Sequence, residues 1–320
     1  MPTSRARLAN FPISYFAIVM GLAGATIAWE KAHSVFDLST IPSDILLALT
    51  AAVFVVLAGI YTLKGVRFGS AIVEELQSPV KLSFFPTISI SLILLSIATM
   101  NQMVGLSKAL WVIGTVAHLL LTLYVMQAWM HHPHFETQHL NPAWFIPVVG
   151  NILVPIAGIT HGYSEISWFF FSVGLVFWGV LLVIVFNRMI FHAPIPARLF
   201  PTLFILIAPP AVGFIAYVRL TDGLDAFGRI MYYAALFLTL LLVSQIDRFT
   251  RLEFFLSWWA YSFPMAAITI ATMVMFEQTG ERFFETAAYV LLVMVTVLVV
   301  FLATRTTMAV LAKEICVEEG

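Results

Sequence analysis

Residues 199–218 read LFPTLFILIAPPAVGFIAYV, twenty positions without one Asp, Glu, Lys or Arg and with prolines at 201, 209 and 210. A helix needs about 20 apolar residues to cross the hydrocarbon core of a bilayer, where backbone polar groups must be satisfied inside the segment. Proline works against that requirement, because it has no N–H and bends the helix that holds it. A stretch this apolar and this rich in proline points to a membrane helix whose freed carbonyls face protein or a water-filled interior.

Nine further runs without charge lie at 11–29, 45–63, 82–104, 109–130, 143–160, 166–187, 230–246, 254–276 and 286–304. Their apolar residues are continuous, not alternating, which excludes membrane strands. The whole chain is 61% hydrophobic and 10% charged, against ~25% charged in a soluble domain. The expected fold is an all-α membrane protein of ten transmembrane helices. Short connections leave no room for a separate soluble domain, so residues 1–320 form one transmembrane domain with short tails at 1–10 and 306–320. Arg5 and Arg7 before the first run could mimic a signal peptide. That run is too long for a typical signal core and is followed by nine more, so it is read as the first membrane helix.

Proline is distributed by parity. Pro86 lies in span 3, Pro147 and Pro155 in span 5, Pro201, Pro209 and Pro210 in span 7, and Pro264 in span 9; span 1 opens on Pro12 and carries Gly21 and Gly24. The interiors of the even spans contain none. The alternation predicts five helical hairpins, each pairing an irregular helix with a regular one. The irregular set lines a common interior, and the regular set faces lipid or neighbouring subunits.

Charge sets orientation. With ten spans both termini share a side, and that side collects eleven of the 16 Lys and Arg residues, against five (Lys31, Lys108, Arg219, Arg229, Arg282) opposite. Both termini are therefore expected in the cytoplasm. A net charge of −1 without a basic block argues against nucleic acid. The one cysteine, Cys316, allows no intrachain disulfide.

No odd span carries a charge at its middle, and Glu277 falls beyond span 9. Pumps and proton-coupled carriers usually need an intramembrane ionisable group, so a passive conduit walled by backbone, hydroxyls and rings is the simplest reading. His118, in proline-free span 4, suits packing better than proton transfer. Phe263 directly precedes Pro264, where a kink could present or withdraw its ring, although 28 phenylalanines offer rivals. Thr87, Ser89 and Asn151 could line a path or could tie helices together. His131, His132, His134 and His139, with Glu136, crowd one loop. Their spacing could bind a transition metal or sense pH, but it fits neither a helix face nor a finger, so no metal and no cofactor is expected. No phosphate-cradling loop or nucleophile triad suggests an enzyme.

Several motifs carry a resemblance that spans nearly the whole chain. Pro12, Tyr15, Phe16, Ile18, Gly21, Leu22 and Ala23 form P-x-x-Y-F-x-I-x-x-G-L-A. Ser78-Pro79-Val80-Lys81 precedes Ser83-Phe84, Ile113-Gly114-Thr115 lies in span 4, and Pro142, Pro147, Ala208 and Pro209 follow. Trp259-Ala260-Tyr261-Ser262-Phe263 completes the set. Together they resemble the tellurite-resistance/dicarboxylate transporter family, which includes TehA-type proteins and plant slow anion channels. The resemblance implies five hairpins around a central pore lined by the odd helices, assembled as homotrimers in the cell (inner) membrane. It places Phe263 as the ring that plugs the pore. With the parity pattern it makes Phe16, Gly21, Thr87, Ser89, Asn151, Pro155, Pro209, Ser262 and Pro264 candidates for the pore lining. Val19 stands where the family often has proline, which implies a milder kink in span 1.

The expected function is a gated, passive channel for small monovalent anions, surrounded by membrane lipid. Inward-pointing N-termini of broken odd helices could supply the anion preference. The rival is a secondary carrier exporting C4-dicarboxylates or tellurium oxyanions, which would saturate and show counterflow. A sensor built on the histidine loop is a third class.

Overall fold

The computed structural model describes residues 4–131 (side chains from Arg7 onward) and 135–316. Ten helices carry the architecture. They are α1 (Ile13–Phe36), α2 (Ile41–Arg67), α3 (Leu82–Thr99), α4 (Val104–His131), α5 (Pro142–Gly158), α6 (Ser164–Phe191), α7 (Phe200–Thr221), α8 (Ala226–Val243), α9 (Leu256–Thr279) and α10 (Arg282–Leu311). Among the described residues nine of them are long and apolar enough to cross a bilayer, and α5 is shorter.

The shortfall in α5 has a local cause. Pro142, Pro147, Gly150 and Pro155 divide it into a 3-10 turn of three residues, five α residues, four 3-10 residues and five α residues. A 3-10 segment rises about 2.0 Å per residue against 1.5 Å in an α-helix, so these 17 residues reach roughly 29 Å, close to the hydrocarbon thickness. The irregular backbone is satisfied from the side. Thr122 Oγ1 lies 2.6 Å from the Pro147 carbonyl, and Trp111 Nε1 donates to the Val154 carbonyl at 2.9 Å, both from α4.

Parity is written into the backbone as well. Every odd helix opens in 3-10 turns, at Ile13–Tyr15, Leu82–Phe84, Pro142–Trp144, Phe200–Ile207 and Leu256–Tyr261, before α geometry takes over. The even helices are α throughout. The 3-10 turns run directly into the α segments, with Phe85 N–H donating to Leu82 O and Ile90 N–H to Pro86 O. The free, inward-pointing helix ends expected from the sequence are therefore not formed there. Val19, fully buried, leaves Phe16–Phe36 one uninterrupted α-helix.

The five hairpins α1/α2, α3/α4, α5/α6, α7/α8 and α9/α10 pack in sequence, and the odd helices close a ring in the order α1, α3, α5, α7, α9 and back to α1. Buried positions make up 67–83% of the crossing windows of α1, α3, α7 and α9, but only 22–39% in the even helices. The even helices instead expose apolar side chains such as Val55, Leu120, Val183, Phe237 and Val297, as a lipid-facing surface requires. Small residues let the ring close. Ala23 and Ala28 of α1 and Ala266 and Ala271 of α9 are fully buried, and a Cβ on Gly21 would collide with Ser262 Oγ. Such seams allow close backbone approach where lipid offers no hydrophobic drive for association. Trp29 Nε1 donates to Thr296 and Trp259 Nε1 to Thr306, pinning α1 and α9 to α10.

Candidate conduction pathway

Two cavities lie along the axis of the ring, and every residue lining either of them belongs to an odd helix or to its immediate end. The first, of about 80 Å³, opens toward the side of the chain termini; Met20, Ile90, Gly150, Pro209 and Phe263 represent the five helices on its wall. The second, of about 290 Å³, lies toward the opposite side, and each odd helix gives it an isoleucine: Ile27, Ile97, Ile156, Ile215 and Ile270. Leu153, Val212 and Phe263 line both cavities and so stand where the two meet.

Phe263 reaches that junction through local chemistry. The 3-10 segment Leu256–Tyr261 ends at Ser262, whose hydroxyl donates to the Trp259 carbonyl at 2.6 Å, and Pro264 sets the first turn of the α segment. The ring is half-buried, between the closed wall and the open cavities. Opposite it, Gly24 leaves the room: a Cβ there would stand 3.2 Å from Phe263 Cδ2.

Of the other expected lining residues, Pro209 and Pro264 face the first cavity. The remaining seven line neither cavity, and packing explains most of them. Phe16 turns outward, edge-on to Phe54 and Tyr61 of α2. Gly21 is consumed in the α1–α9 seam. Thr87, Ser89 and Ser262 are buried and donate to carbonyls of their own segments, Phe84, Pro86 and Trp259. Ser89 Oγ also lies 2.9 Å from His118 Nδ1, which places that histidine behind the wall. Asn151 donates to the Val148 carbonyl and to Thr122. Pro155 is buried inside α5. Around the junction of the two cavities the wall is aliphatic and aromatic, and polar side chains line only the second cavity, toward its mouth.

Of the histidine loop, His132 and His134 lie outside the described residues. His131 Nδ1 is 3.0 Å from the Gln127 carbonyl, and Glu136 and His139 cap each other's backbone. Among the described residues no three potential ligands gather around a metal-sized space.

Sequence reading did not single out Leu153 or Val212, and treated Lys31 and Arg219 only as loop cations. Glu30, Lys31, Arg219, Asp222 and Glu277 all line the second cavity near its mouth. The available signal was position: Glu30, Arg219 and Glu277 each stand one residue beyond the end of an odd charge-free run.

Residues 10–307 match the family described as "SLAC1: Voltage-dependent anion channel". Among curated proteins the chain is 28% identical to S-type anion channel SLAH2 of Arabidopsis thaliana, over 83% of this chain and 53% of that protein. It is 26% identical to the guard cell S-type anion channel SLAC1 of the same plant, over 83% and 50%. It is 25% identical to the tellurite resistance protein TehA homolog of Haemophilus influenzae, over 80% and 79%. The chain spans about half the length of the plant relatives it matches.

Proposed function

The chain belongs to the voltage-dependent anion channel (SLAC1) family, and on that footing we propose that it is a gated, passive conduit for small monovalent anions, occluded at Phe263. One observation carries the reading: two cavities walled only by the odd helices meet at the Phe263 ring. A hydrated ion does not pass a narrow apolar constriction unaided, because nothing there replaces its water. Leu153 and Val212 complete the constriction, and the isoleucines beyond it keep the walls apolar. Movement of the half-buried ring, seated against Gly24, widens this constriction.

Three copies per assembly, each with its own path, and an inner-membrane setting with both termini cytoplasmic belong to the same proposal. The apolar outer faces of the even helices and the uneven division of Lys and Arg support it. Cross-linking of the protein in native membranes checks the trimer, and a reporter fused to either end checks orientation.

The test is electrical. Wild type and Phe263→Ala are recorded in planar bilayers under chloride gradients. The variant is expected to carry a steady current at least about tenfold above wild type, equivalent to roughly 1.4 kcal/mol removed from the barrier, and to reverse near the chloride equilibrium potential. Equal currents in both overturn the gate. Saturating, electrically silent exchange with counterflow would favour a carrier.

A further inference from the structure

Two cations and three carboxylates line the second cavity. The formal sum is 2 − 3 = −1, so its overall sign does not draw anions inward. Nor do the odd helices offer free N-termini, since their 3-10 turns run directly into α-helix. A preference for anions therefore needs a fixed local donor set.

Arg219 has the right placement. It stands in the last turn of α7, half-buried, on the wall of this cavity. Nη1 donates to the Ile156 carbonyl at 3.0 Å and to Thr160 Oγ1 at 3.3 Å, with Met100 Sδ at 4.0 Å. Those contacts pin the guanidinium across α3, α5 and α7, and they occupy one nitrogen. Among the described residues Nε and Nη2 donate to no protein atom, and neither is sealed from solvent.

The neighbouring side chains make their direct contacts elsewhere, although Glu30 and Glu277 both act on Arg219 through space. Lys31 Nζ lies 2.7 Å from Glu277 Oε2. Glu30 Oε1 accepts from Asn101 Nδ2 at 2.9 Å. Asp222 ends α7 in the left-handed region, exposed at the rim. Among the described residues no carboxylate comes within 4.0 Å of Arg219. The cavity thus contains one cation in a direct ion pair, Lys31, and one in none, Arg219, which lies in the field of Glu30 and Glu277 and keeps two open donors. A rigid guanidinium fork of this kind binds a single anion through charge-assisted hydrogen bonds.

We propose that Arg219 is the anion-docking residue of the second cavity, holding one small monovalent anion through Nε–H and Nη2–H before it meets the apolar wall of Ile27, Ile97, Ile156, Ile215 and Ile270. The inference rests on the conduit proposed above. It adds the group that distinguishes anions from cations in a path whose lining charges sum to −1.

The experiment uses the full chain carrying Phe263→Ala, with chloride as the probe. Conductance is measured against chloride concentration, and the reversal potential under a tenfold KCl gradient. Arg219→Gln is expected to lower the chloride-to-potassium permeability ratio by about tenfold and to raise the half-saturating chloride severalfold, as loss of a charge-assisted pair implies. Arg219→Lys keeps the charge but loses the paired donors, so its permeability ratio holds while half-saturating chloride still rises about threefold. The lysine variant decides the matter if the glutamine variant does not reach the membrane. A concentration curve identical to the parent's in the recorded variant overturns the docking role alone. Absence of anion current in the Phe263→Ala parent overturns the conduit, and this inference with it.

Discussion

The odd helices α1, α3, α7 and α9 have mean hydropathies of 1.4–1.9 and the even ones 1.8–2.7, ranges that overlap although the fold uses the two sets in opposite ways. The odd set opens in 3-10 turns, holds the prolines, and is largely buried. The even set is regular, free of internal proline, and turns side chains such as Val183 and Val297 outward. Hydropathy separates the two rings only in part, since α3, α4, α7 and α8 all fall at 1.8–1.9. Backbone regularity separates them, because an irregular membrane helix survives only where something other than lipid satisfies its carbonyls. Thr122 and Trp111 of even helix α4 do this for odd helix α5, so the regular helices brace the irregular ones from outside.

Substitutions paired across the two rings sharpen the comparison. The largest expected effect is at Phe263, where Phe263→Ala raises steady current about tenfold or more. Phe237→Ala, an equal truncation on the outer face of α8, should leave current within twofold of wild type, since it touches no cavity. Equal responses would remove the functional difference between the rings.

Next in size is the α1–α9 seam. Gly21→Val drives a side chain into Ser262 and Trp259, and overpacking of this kind costs about 1–3 kcal/mol. The denaturant midpoint of the purified protein should fall accordingly. Val183→Ala, on the exposed outer face of α6, should stay within about 0.5 kcal/mol of wild type.

Smaller again is the brace itself. Thr122→Val leaves the Pro147 carbonyl without its hydroxyl partner and removes one of the two acceptors of Asn151, which keeps Val148, a loss of about 1–2 kcal/mol. Thr304→Val on α10 removes only an exposed bond to its own helix, at Val300, and is expected to be near neutral. Unfolding in mixed micelles compares the pair, and equal losses would deny that even helices brace odd ones. The smallest effect is at Gly24. Gly24→Ala presses a methyl group to 3.0 Å from Ala266 Cβ and 3.2 Å from the Phe263 ring, and a rise in leak current of about twofold or less is expected, since the ring can yield by a few tenths of an ångström.

The ring architecture was legible because proline is costly in a membrane and its parity is therefore informative. Pro86, Pro147, Pro201 and Pro264 mark the inner helices in the sequence itself. The chemistry of the wall was less legible. Thr87, Ser89 and Ser262 read as pore hydroxyls, but a buried Ser or Thr finds its nearest acceptor in its own segment, at i−3 or i−4. Phe16 shares the apolar character of Phe263 and yet faces α2, because helical phase decides which ring meets the axis, and 3-10 turns upset a phase counted at 3.6 residues. Arg219 was overlooked for a related reason. It lies past the end of a charge-free run, where cations are usually counted for orientation alone, while α7 continues to Thr221 and carries it onto the cavity wall.

Single cysteines report whether ions pass inside the ring of odd helices. The chain has one native thiol, Cys316, so Cys316→Ser in the Phe263→Ala background supplies a silent parent. Cysteine is then introduced at Ile270, on the second cavity, or at Val297, on the outer face of α10, and a charged, thiol-specific methanethiosulfonate is applied from the side opposite the termini. The expected result is irreversible loss of current at position 270 and none at 297. Block at 297 with full current at 270 would contradict the account.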